Sequence, residues 1–189
     1  MSHPLLLATC TNRQAAALVL TGALATFSGL VVSGVGIFVA IIAALFFAPL
    51  FLNAWIDAAT QKLVKRFTHC SGVVALAALV TQAISPWRAG LLALGIAVAL
   101  TVPLGLMSHF SAGKLMGFGD VRLIFVLLLW NGLWSPTSAL LMLAASFFFH
   151  TLAVLVWSIW GLTSVRRSHA LGPWLIGAAW ICTLIESAI

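Results

Sequence analysis

Between Ala15 and Ile56 the chain carries no Asp, Glu, Lys, Arg or His, and the solvent that accepts so long an apolar stretch is lipid. As one helix, at about 1.5 Å per residue, it would run roughly 63 Å, twice the hydrocarbon thickness of a bilayer. The stretch must therefore double back. Ser33-Gly34-Val35-Gly36 is where glycines permit a tight turn, which leaves one span on either side. Pro49 lies inside the second span and is expected to kink it. The remainder is of the same character, with 63% of residues hydrophobic and 6% charged. Such a balance places the chain among polytopic membrane proteins.

The second span is expected to end at Asn53-Ala54-Trp55-Ile56-Asp57, with the polar Gln61, Lys62, Lys65, Arg66 and His69 following as a loop. A short third span covers Cys70 to Ile84, and Ser85-Pro86-Trp87-Arg88 turns the chain. Ala89 to Met107 makes a fourth, and Ser108 to Gly119 a polar, glycine-bearing loop. Asp120 to Trp134, Thr137 to Leu162 and Leu171 to Ile185 complete the set, the last opened by Gly172-Pro173. The fold class expected is all-α, a transmembrane helical bundle of about seven spans. Residues 1–189 form a single domain in which 1–51 supply an extra N-terminal span and the start of the second, and 52–189 hold the motif-bearing core. Trp55, Trp87, Trp130, Trp134, Trp157 and Trp174 fall near the expected interfaces and read as belt anchors.

The formal net charge is +6, but the nine Lys and Arg stand singly or in short groups beside apolar runs. They read as topology signals and headgroup contacts, not as a nucleic-acid footprint. Arg13, Lys62, Lys65, Arg66, Lys114, Arg166 and Arg167 fall on one face and Arg88 on the other. By the positive-inside rule the first face is cytoplasmic. Cys10, Cys70 and Cys182 form no CxxC pair, so no metal site, cofactor or disulfide framework is expected. Met1 to Arg13 lacks the pattern of a removable signal peptide.

With three acidic residues in the chain, an acid at a membrane boundary carries information. Alternating spans put Asp57 at the inner end of the second helix and Asp120 at the inner end of the fifth, so two carboxyls from distant parts of the sequence reach one depth on one side. Two such groups in a poorly solvated place share a proton; one can activate a water while the other protonates a carbonyl oxygen or leaving group. Asp120 sits at a helix N-terminus, which favours an anion, and Asp57 at a C-terminus, so the helix ends assign the base to Asp120. Gly117 and Gly119 let the backbone before Asp120 bend or approach a neighbour closely. Asn53, one turn before Asp57, is placed to hydrogen-bond it. Lys62, Lys114 and Arg122 flank the acids and are candidates to orient substrate or meet lipid phosphate. His69, His109 and His169 are expected in solvated inner-face loops.

Lys114-Leu115-Met116-Gly117-Phe118-Gly119-Asp120-Val121-Arg122-Leu123 resembles the GxGD segment of type IV prepilin peptidases, the bacterial aspartic proteases that remove leader peptides from pilin precursors. Asp57-Ala58-Ala59-Thr60-Gln61-Lys62-Leu63-Val64 is similar to that family's first-aspartate segment, with Val64 where the family usually has Pro. Ala170-Leu171-Gly172-Pro173-Trp174-Leu175 resembles the Gly-Pro opening of its last helix. The resemblance implies a bacterial inner-membrane endopeptidase with Asp57 and Asp120 as the catalytic pair, supported by Gly117, Gly119, Gly172 and Pro173. It would cut a basic leader after a Gly at the cytoplasmic face. Longer family members also methylate the new N-terminus through a domain with paired CxxC motifs; without those cysteines, a peptidase alone is expected. The partners implied are a prepilin or pseudopilin precursor as substrate and membrane lipid, with self-association left open and no nucleic acid.

A rival from another class is a non-enzymatic membrane protein, either a proton-coupled transporter using the acids as a relay or an inactive peptidase-like scaffold for pilus or secretion assembly. Transporters commonly show internal repeats and acids nearer the midplane, and neither pattern is present in the sequence.

Overall fold

The long apolar stretch doubles back at its glycines. In the computed structural model, which describes residues 11–111, 116–160 and 170–189, helix α1 (Asn12–Val32) ends and α2 (Ile37–Thr60) begins after four intervening residues. The turn is a Schellman motif: Val35 N–H donates to Leu30 C=O at 3.0 Å and Gly34 N–H to Val31 C=O at 3.1 Å. Gly34 has φ +85°, the left-handed region that glycine enters without a steric cost. At its other end α1 is started by Thr11, which exchanges hydrogen bonds with Gln14 as a capping box.

Five further helices follow among the described residues: α3 (Lys65–Val80), α4 (Trp87–Phe110), α5 (Phe118–Trp134), α6 (Pro136–Ile159) and α7 (Gly172–Ser187). By length and composition, Arg13–Val32, Ile37–Thr60, Trp87–Phe110 and Pro136–Ile159 are able to cross a membrane. The others have 16 or 17 residues, about 25 Å of helix against roughly 30 Å of hydrocarbon. α5 is the centre of the bundle, packed against α3, α4, α6 and α7. A helix that is hydrophobic all round needs neighbours all round, and from Leu123 to Leu133 every α5 side chain but Phe125 is buried.

The densest part of the core joins α2, α5 and α7. Trp130 is fully buried and stacks on Phe46 with ring centroids 4.1 Å apart, while Phe47 meets both rings edge-on. Its Nε1–H donates to Thr183 Oγ1 on α7 at 3.2 Å. Trp130 is thus a core residue and not the belt anchor its position in the sequence suggested, because α5 has protein where a peripheral helix has lipid. Trp55 and Trp87, each 48% exposed, do stand at the bundle surface. Trp180 Nε1–H reaches Thr26 Oγ1 of α1 at 3.0 Å, and Ser71 Oγ donates to the Phe46 carbonyl at 2.8 Å.

Several expected limits move. α3 begins at Lys65, not at Cys70, so Lys65, Arg66 and His69 belong to its first turns instead of to a loop. It stops at Val80 through a second Schellman turn in which Gln82 takes φ +53°. Trp87 and Arg88 open α4, and α4 continues to Phe110, which shortens the loop expected before Asp120 and puts His109 in the last turn of a helix. α2 is continuous across Pro49. Cys10, Lys114, Arg166, Arg167 and His169 lie outside the described residues.

If Trp130 holds the core, Trp130→Ala should cost about 3–5 kcal/mol of stability, whereas Trp87→Ala should change it little. Denaturation midpoints of the two variants in one detergent would show this, and equal midpoints would return Trp130 to the lipid surface.

Candidate active site

Asp57 lies in the last turn of α2 and is 4% exposed. The helix ends at Gln61, whose left-handed φ of +55° turns the chain while its N–H still donates to the Asp57 carbonyl at 2.7 Å. The short segment to Val64 is then caught by Asn53. Its side-chain carbonyl accepts the Val64 N–H at 2.7 Å, and its amide donates to Thr68 Oγ1 at 3.2 Å. The expected bond from Asn53 to Asp57 is replaced by these two, because the start of α3 presents unsatisfied donors within reach of the buried amide. Val64, the departure from the usual Pro, supplies an N–H that proline lacks.

α7 reaches Asp57 with its first residue. Gly172 N–H donates to Asp57 Oδ2 at 3.0 Å, with Pro173 next in the opening turn, where a missing N–H costs nothing. A Cβ on Gly172 would lie 2.5 Å from Asp57 Oδ2 and 3.0 Å from Leu63 Cδ2. No side chain fits between helix and acid. Asp57 thus caps the N-terminus of α7 while ending α2.

Asp120 occupies the first turn of α5, three residues after Gly117, the N-cap. It is therefore not the cap residue itself. Gly117 packs against its carboxylate, and a Cβ on Gly117 would come within 3.3 Å of Asp120 Oδ2. The chain ahead of the motif is held from α4 by Ser108, fully buried, whose hydroxyl donates to the Met116 carbonyl at 2.7 Å. Gly119 is less constrained than its place in the motif suggests: a Cβ there would sit 3.4 Å from Leu63 Cβ, ordinary contact. Leu63 is thus packed between Gly119 of α5 and Gly172 of α7.

Both acids face one cavity of about 400 Å³, bounded by Gln61, Lys62, Leu63 and Lys65 from the α2–α3 segment, Gly117 and Gly119 from α5, and Ala170 and Leu171 before α7. With each carboxyl at a helix N-terminus, one its own and one that of α7, the helix-end asymmetry that assigned the base to Asp120 is gone. What remains is a pair of carboxyls around a space large enough for a peptide segment and water, able to pass a proton between them. Lys62 lines this cavity; Arg122 does not, being exposed on the far side of α5 in a separate groove. Lys114 falls outside the described residues. Leu63, Lys65 and Ser108 went unselected in the sequence. Two aliphatic residues, Leu63 and Val64, in the four-residue break between helices are a visible signal for Leu63, but nothing local marks Ser108. Among the described residues no cluster of three or more His, Cys, Asp or Glu could hold a metal.

The model of the type IV leader peptidase family matches residues 44–162. That region holds both acids and both motif glycines and stops short of Gly172. No curated protein and no solved structure matches the chain.

The glycines rank by the room around them. Gly172→Ala should lower peptidase activity at least tenfold at matched protein level, Gly119→Ala no more than a few-fold, and Gly119→Val more than Gly119→Ala because its added methyls meet Leu63. Val64→Pro, which leaves the buried Asn53 carbonyl unpaired, should cost about 1–3 kcal/mol of stability, read as a lower denaturation midpoint. Equal activity in Gly172→Ala and Gly119→Ala would contradict the packing described.

Proposed function

The chain belongs to the type IV leader peptidase family, and from that premise we propose that it is a membrane-embedded aspartic endopeptidase acting on prepilin-like precursors. It removes a leader by cutting after a glycine, just ahead of the precursor's apolar helix, at the cytoplasmic face of a bacterial inner membrane. The observation that carries this reading is that Asp57 and Asp120, from distant parts of the matched region, line one cavity.

In the reaction proposed, the extended segment of the precursor lies across the cavity with a water between the carboxyls. One carboxylate takes a proton from the water as its oxygen attacks the scissile carbonyl carbon; the protonated partner gives its proton to the carbonyl oxygen. The tetrahedral intermediate collapses with a proton passed to the departing amine, and the C–N bond breaks. Gly172 N–H on Asp57 fixes the orientation of that carboxyl without adding a titrating group, and Gly117 packs beside the Asp120 carboxylate. Lys62 and Lys65 on the cavity wall present ammonium donors to backbone carbonyls of the leader. The cytoplasmic placement is supported by Arg13, Lys62, Lys65 and Arg66 clustering at the end of the bundle that holds the acids, while Arg88 opens α4 at the other.

Asp57→Asn and Asp120→Asn are each expected to abolish processing of a co-expressed prepilin while the protein stays in the membrane. Precursor and mature forms separate on a blot, and full processing by either variant removes that residue from the mechanism. Processing lost in neither variant would favour the scaffold or transporter reading. For orientation, Gln61→Cys and Ser111→Cys in a background without Cys10, Cys70 and Cys182 should be shielded from an impermeant thiol reagent in intact cells. Labelling at either would put the acids on the outer face.

A further inference from the structure

The cavity that holds the acids has walls of two kinds. Lys62 and Lys65 line it and are exposed, and their flexible stems can swing aside for a substrate. Leu63 cannot. Its Cδ2 lies 3.0 Å from the position a Cβ would take on Gly172, and its Cβ and Cδ1 lie 3.4 and 3.6 Å from the position of one on Gly119. The isobutyl group is therefore wedged between the backbone that donates to Asp57 and the backbone that precedes Asp120. Its own main chain is pinned as well. Gln61 ends α2 in the left-handed region with its N–H on the Asp57 carbonyl, and Val64 N–H is held at 2.7 Å by the fully buried Asn53. A side chain packed on both flanks and fixed through both backbone neighbours is a rigid wall.

A scissile peptide has to place its carbonyl carbon between the two carboxyls for a water held there to attack it. Leu63 packs beside the chain next to each of them, so it bounds the space around that carbon. The residue that supplies the carbonyl carries its Cβ on the atom bonded directly to the reacting carbon. For the residue after the cut the amide nitrogen intervenes, and the chain there leads off into the apolar helix. A methyl group on the residue before the cut is thus the one that meets Leu63. Packed sites tolerate added methyls poorly, and one extra methyl in a tight pocket is discriminated by roughly ten- to two-hundredfold.

We propose that Leu63 enforces glycine before the scissile bond by closing the subsite for that residue to any side chain. The inference rests on the leader-peptidase reading and adds to it the residue that decides where the cut falls. It also gives the Asn53 clamp a functional consequence, since holding Val64 holds Leu63 against the two glycines.

The test uses the full-length protein and two prepilins that differ only in having glycine or alanine before the scissile bond. Wild type should cut the glycine precursor at least tenfold faster. Leu63→Ala should bring the two rates to within about threefold of each other, and Leu63→Val should give a ratio between these. Lys62→Ala, on the same cavity, should change both rates in proportion. If Leu63 were merely structural, shortening it would slow both precursors equally. Separately, in the Asp120→Asn protein without Cys10, Cys70 and Cys182, Leu63→Cys should form a disulfide with a precursor that has cysteine in place of the glycine, and not with one whose cysteine lies two turns into the apolar helix. Equal cutting of the two precursors by wild type, an unchanged ratio in both Leu63 variants, or a cross-link to the helix cysteine instead would overturn the proposal while leaving the leader-peptidase reading in place. If wild type processes neither precursor, that reading fails; there, or if both Leu63 variants are inactive, the cross-link decides whether Leu63 stands beside the glycine.

Discussion

A single backbone N–H sets the geometry of this protein's polar end. Gly172 donates to Asp57 at 3.0 Å with no room for a side chain between them, and that contact joins the end of α2 to the start of α7 across most of the sequence. The carboxylate accepts a donor that α7 would otherwise leave unsatisfied, in a place where water is scarce and an unpaired backbone group is costly. Leu63 then fills the remaining space against Gly172 and Gly119, which brings α5 and its own acid to the same point. Loosening the first contact would let Leu63, the α5 N-terminus and Asp120 move together.

The apolar interior solves a different problem. Helices in lipid gain little from burying apolar surface against one another, so close packing and a few interhelical hydrogen bonds hold them. Trp130 does both, stacking on Phe46 of α2 and donating to Thr183 of α7. At the end remote from the Asp pair, Ser135 caps α6 and donates to Glu186 of α7 at 2.6 Å. The third acid of the chain therefore has a structural partner far from the other two. Rigidity at the core and at that end leaves the α2–α3 segment and the α5 entrance as the places where chemistry can be arranged.

Asp57 accepts the Gly172 N–H at 3.0 Å, and Asp120 lies in the first turn of its own helix against Gly117. Backbone donors orient a carboxylate without competing for its proton, which suits a pair whose members exchange roles in a proposed aspartic mechanism. A Cβ on Gly172 would displace the oxygen that its N–H serves. That accounts physically for glycine at 172, while a Cβ at 117 would crowd Asp120 Oδ2 and one at 119 would meet Leu63 only at ordinary contact.

Much of the architecture was legible from composition and local pattern, because a bilayer permits few solutions. The charge-free run from Ala15 to Ile56 had to turn, and Gly34 is where a left-handed residue lets it. Both acids could be located, since a carboxylate at a membrane boundary is rare enough in this chain to be informative. What the sequence could not contain was the set of contacts between segments far apart in it. Trp130 became core because α5 is enclosed, which depends on four other helices. Asn53 turned from Asp57 to Val64 and Thr68 because the start of α3 offered a donor N–H and an acceptor hydroxyl within reach. Arg122 left the site by the rotation of one helix, two residues from the acid it follows. The Gly-Pro opening of α7 was marked by resemblance, but its pairing with Asp57 was not, since a hydrogen bond between a side chain and a distant backbone group is decided by how whole helices pack.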